Sequence, residues 1–266
     1  MKLTALCFLL VILSACRPGR TSESPIGKVV KISGSITANG LVLDFQKNQY
    51  ILLQSLSGGA ASPSKTYFPL TGRYSVSVVA DSIAEFTLLK KGWFAAGLDM
   101  FVAGKLSIAS GHFSAVLEFE PSSHCSTYFV AICQLVLNSE QPAGNKFLWR
   151  PVIALFSRVL DARKEWRQGD AAFDLQRLVE MKNGLDMAYL FRGLAYLCSG
   201  DRASARSDFQ AMMRRVSADV ADKIGWQEEW MSDGSATRLK ERIEAAYGMT
   251  VAAAVEIRKE GLFSRI

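Results

Sequence analysis

The chain has 266 residues, 49% hydrophobic and 21% charged, enough to bury one or two cores and too apolar for a disordered polymer. Its 31 Lys and Arg against 25 Asp and Glu leave a net +6 spread along the chain. That distribution lacks the clustered basic stripe of nucleic-acid binding, so no nucleic-acid partner is expected.

Lys2 opens the chain as its first cation, Leu3 to Ile12 form an apolar stretch broken only by Thr4, and small residues Ser14 and Ala15 precede Cys16. A cation, a short apolar core and small residues before a cut site are the parts of an export signal. The stretch ends in Arg17, Pro18, Gly19 and Arg20, well short of the roughly 20 apolar residues of a membrane span. Leu13-Ser14-Ala15-Cys16 resembles the lipobox of bacterial lipoproteins, and a plain secretory signal is the competing reading. The resemblance implies a signal peptide over residues 1–15, cleavage before Cys16, and a diacylglyceryl group on its thiol with a further acyl chain such as palmitate on its amine. Each buried methylene is worth about 0.8 kcal/mol, so two or three chains anchor firmly. It also implies a cell-envelope protein, at the outer membrane facing the periplasm in a Gram-negative host, because Arg17 rather than Asp follows the Cys.

Residues 16–27 are polar, with Pro and Gly, and read as a tether behind the anchor. From residue 28 to about 140 the pattern is strand-like. Asn39-Gly40 between Ser35 to Ala38 and Leu41 to Phe45 predicts a hairpin turn, Tyr74 to Ala80 alternates Ser with apolar residues, and Phe113, Ala115, Leu117 and Phe119 alternate as on a half-buried strand. Gly92, Gly104 and Ser110-Gly111 read as punctuation, and Val130 to Leu137 fits either a strand or a helix. An antiparallel β sandwich or barrel is expected over 28–140. Trp93, Phe94, Met100 and Phe101 suit the edge of an apolar ligand site or ordinary core packing. Cys125 and Cys133 are near enough in sequence to form a disulfide worth about 2.5 kcal/mol across a turn, the alternative being two buried thiols.

Residues 145–266 turn helical. Trp149, Ile153, Phe156 and Leu160 share one helix face whose first turn tolerates Pro151, and Ala171 to Met181 supplies another helix. Tyr189, Gly193, Tyr196, Gly200, Ala205, Phe209 and Met212 resemble a tetratricopeptide repeat, with Gly200 ending one helix and Asp201 capping the next. Arg192 stands where that family has an apolar residue, and Ser217 where it often has Pro. Degenerate hairpins are expected on either side, with Met249 to Lys259 as a closing helix; an unrelated helical bundle is the alternative. The fold class is therefore α+β, a β sandwich or barrel followed by a tetratricopeptide-like helical domain.

Partners of the family lie along the first helix of each pair, which places the contact here at Met187, Leu190, Leu194 and Leu197. All four are apolar, so the resemblance implies an apolar helical segment of another envelope protein, with packing within the chain as the alternative. His112 and His124 are the only histidines, and neither sits in a recognisable nucleophile, zinc or phosphate motif; no enzyme, metal or cofactor is expected. Two function classes follow: an assembly scaffold acting through helical repeats, or a ligand-binding lipoprotein using the β domain. A hydrolase built on His124 and Cys125 is the least favoured.

Overall fold

The computed structural model describes residues 28–34, 38–46, 49–53, 65–69, 74–141, 144–165, 184–216 and 236–259. Cys16, the tether and the helix expected over Ala171 to Met181 lie outside them.

Five strands come first: β1 (Val29–Gly34), β2 (Ala38–Gln46), β3 (Gln49–Leu53), β4 (Lys65–Pro69) and β5 (Tyr74–Ala80). They form one antiparallel sheet in the order β4-β3-β2-β1-β5. The last strand returns beside the first, and β4 and β5 are the two edges. Val30, Ile32 and Val42 are fully buried with Val76 and Val78 against them. That cluster decides the register. Asn39 pairs with Lys31 and Gly40 with Val30, so both lie inside β2 and do not form a turn. A one-residue slip turns every side chain to the other face, so burying the valines outweighs the local turn preference of Asn-Gly.

Seven helices follow among the described residues: α1 (Ile83–Val102), α2 (Leu106–Phe119), α3 (His124–Asn138), α4 (Lys146–Glu165), α5 (Gly184–Ser199), α6 (Arg202–Met213) and α7 (Ala236–Lys259). The expected β sandwich or barrel over 28–140 is thus corrected: the strands end at Ala80, they form a single sheet, and the described part of the chain is mostly helical. The alternation of Phe113, Ala115, Leu117 and Phe119 misleads because the buried face runs Leu106, Ala109, Phe113 and Val116, with helical spacing. Ser110 and Gly111, read as a turn, lie inside α2, and Gly92 lies inside α1.

The chain divides into two compact units, one of residues 1–90 with 118–120, the other of residues 91–117 and 121–266. In the first, Ser82 accepts a hydrogen bond from the Glu85 amide at 3.1 Å and the Glu85 carboxylate accepts one from the Asp81 amide at 2.8 Å, a cap that starts α1. Phe86 meets Phe119 with ring centroids 5.0 Å apart, and Lys31 pairs with Glu118 at 2.7 Å.

In the second unit α3 packs on α4, α4 on α5 and α5 on α6, the order of a tandem array. Aromatic rings fill it. Phe113 stacks on Phe129 at 5.0 Å with Phe94 edge-on to both, and Phe156 stacks on Phe191 at 5.8 Å with Tyr128 edge-on to both. Each such pair adds about 0.5–1.5 kcal/mol beyond its buried area.

Candidate functional site

The hairpin of α5 and α6 is built from its turn outward. Gly200 takes φ +85°, its amide donates to the Leu197 carbonyl at 3.0 Å, and the Asp201 amide donates to the Tyr196 carbonyl at 2.9 Å. The Asp201 carboxylate caps α6, accepting from the Ser204 amide at 3.1 Å and the Ser204 hydroxyl at 2.7 Å; these bonds hold its pKa below the usual carboxylate range. Farther along, Gly193 lets the helices meet, since a Cβ there would stand 2.5 Å from the Phe209 ring.

Arg192, the residue out of pattern, has its own partners. Its Nε and one terminal nitrogen donate to the two Asp208 oxygens at 2.8 and 2.7 Å, and the other terminal nitrogen donates to Ser157 of α4 at 3.1 Å. The rings of Tyr189 and Tyr196 flank the guanidinium at 5.8 and 5.9 Å. An ion pair thus replaces apolar packing and ties three helices.

The same lock occurs 96 residues earlier, where strands were expected. A Cβ on Gly97 would stand 2.8 Å from the Phe113 ring, and Gly104 takes φ +72° with its amide donating to the Phe101 carbonyl. Lys105 then donates to the Met100 carbonyl at 2.8 Å, as Asp201 does to Tyr196. Ala109 and Ala205, both fully buried, match as well. Trp93, Gly97, Met100, Gly104, Ala109 and Phe113 carried this signal in the sequence, at the spacing of Tyr189, Gly193, Tyr196, Gly200, Ala205 and Phe209.

The first helices of the hairpins are α1, α3 and α5, and α7 lies on them. It packs against α5 and α3. Lys240 pairs with Glu140 at 2.9 Å, and Tyr247 donates to the Phe101 carbonyl with its ring 5.0 Å from that of Phe101. Leu239, Ile243, Ala246, Thr250 and Ala254 form the buried face of α7.

Each described residue expected in a site now has a place. Met187, Leu190, Leu194 and Leu197 are buried on α5, at 4%, 1%, 0% and 8% exposure, so the surface read as a partner groove is filled by the chain's own packing. Cys125 and Cys133 are free thiols, a correction to the possible disulfide. Eight residues along one helix set them about 12 Å apart, beyond the ~7 Å that a bridge spans. Burial pushes the thiols of Cys133 and Cys198 up to about 12, which suppresses the reactive thiolate. His124 begins α3 beside the buried Cys125, and successive helical residues diverge by about 100°. His112 sits on α2 with its pKa lowered by burial. Trp93, Phe94, Met100 and Phe101 belong to the helical core, fully or partly buried. Among the described residues no cluster of His, Cys, Asp and Glu could hold a metal, and no helix is long and apolar enough to cross a membrane. No protein-family model, curated protein or solved structure matches the chain.

Proposed function

We propose that the chain is a lipid-anchored protein of the cell envelope that serves as an interaction and assembly scaffold through its array of helical hairpins. The lipobox of Leu13 to Cys16 supports the anchor. What carries the scaffold is the lock shared by the first and last hairpins, which gives a stacked array, together with the helix α7 seated on its first helices. Such arrays present extended faces to other elements, and this one holds a helix in the manner of groove recognition. Because those four residues are buried, partner contacts fall to exposed residues of the second helices, such as Ala154 of α4 and Gln210 of α6.

The test has two arms. In cells producing the full chain, labelled palmitate should enter the wild type and not Cys16→Ser. A photoreactive phenylalanine at position 154 or 210 should then capture one envelope protein in stoichiometric yield. Absence of label removes the anchor, and absence of any protein adduct at either position removes the scaffold.

A further inference from the structure

The turns of the last two hairpins form an edge whose chemistry differs from that of the buried inner face. Phe147, at the start of α4, is 87% exposed, and Leu137, near the end of α3, is 47% exposed. Burying a Phe is worth about 1.5–3 kcal/mol in general, so one left this open invites a cover. Lys146 and Arg150 flank it and are themselves exposed. The Gly144 amide donates to the Cys198 carbonyl at 2.7 Å, which brings the neighbouring turn, with exposed Arg202, against this one.

The charges here are unbalanced. Glu140 is taken by Lys240 at 2.9 Å, and the Asp201 carboxylate is occupied with capping α6. Arg150 and Arg202 form no ion pair among the described residues, and Lys146, whose charge helps to lower the Asp201 pKa, makes no close ion pair there either. An aromatic tip amid exposed cations is complementary to an anionic bilayer surface: the ring enters the headgroup boundary while the cations stay with the lipid charges.

We propose that this edge, with Phe147 at its tip and Lys146, Arg150 and Arg202 around it, docks on anionic lipid headgroups. Docking does not require acylation at Cys16. An anchor would make even weak docking effective by keeping the edge at high local concentration, so this surface and the anchor fail independently.

The experiment uses the full chain with Cys16→Ser, which removes the acylated residue, and a photoreactive phenylalanine at position 147 or, as a control, 210. On vesicles of phosphatidylcholine with about one third phosphatidylglycerol, lipid adducts should form at 147 and not at 210. Adding Lys146→Glu, Arg150→Glu and Arg202→Glu should cut the yield at 147 by about tenfold or more, as should high salt. These side chains are exposed, so an unchanged thermal transition verifies folding. Equal yield on pure phosphatidylcholine, equal yield after charge reversal, or adducts to a second copy of the chain would each overturn the proposal.

Discussion

Hairpins α1–α2 and α5–α6 make the same lock from different sequences. Both place a glycine under a phenylalanine sixteen residues on, and both turn on a left-handed glycine with matching amide bonds. Only the second advertises itself with Tyr189 and Tyr196; the first has Trp93 and Met100 there. Their polar content also differs. The second joins its helices with Arg192 and Asp208, whereas the first has Ala96 and His112 at those positions. Close approach is therefore set by the Gly–Phe pair and the turn, while the ion pair belongs to one hairpin alone.

The largest effects should come from the shared lock. Phe209→Ala and Phe113→Ala should each cost about 3–5 kcal/mol in urea unfolding of the intact chain. Gly193→Val and Gly97→Val should each cost about 1–3 kcal/mol by overpacking. In a double-mutant cycle, Phe209→Leu should recover part of the loss from Gly193→Ala, since the smaller side chain frees the space that the new methyl needs. A first hairpin indifferent to Gly97→Val would break the equivalence.

The ion pair sharpens the contrast. With Arg192 only 16% and Asp208 only 7% exposed, Asp208→Ala should cost about 3 kcal/mol by stranding the guanidinium, read as a lowered urea midpoint. His112→Ala, at the matching place, should stay within about 1 kcal/mol. The turns fall between these two. Gly200→Ala and Gly104→Ala should each cost about 1–2 kcal/mol, because both glycines hold positive φ with nothing crowding them.

What was legible in the sequence follows the same division. Tyr74 to Ala80 forms β5 as its alternation predicts, and Gly200-Asp201 makes the expected turn and cap. Helices α1 and α2 were hidden because Gly92 in the first and Ser107 and Gly111 in the second are among their exposed positions, giving turn-like chemistry to helical faces. Ser82 and Glu85, three residues apart, held a start signal for α1 that outweighs the alternation after Phe113. The burial of Met187, Leu190, Leu194 and Leu197 was illegible for another reason. Their spacing defines an apolar face, but what covers it depends on helices distant in sequence that pack on α5, α4 on one side of it in the chain and α7 some 40 residues farther along.

That cover is the point on which the account turns, and a thiol at Leu194 tests it most directly. Leu194 is fully buried. In the intact chain Leu194→Cys should react with a thiol reagent no faster than unfolding permits, resolved by peptide mass spectrometry, and Ile243→Asp on the buried face of α7 should speed that reaction. Labelling of Leu194→Cys in the folded chain at the rate of an unfolded thiol peptide would contradict the account and return the four residues to solvent.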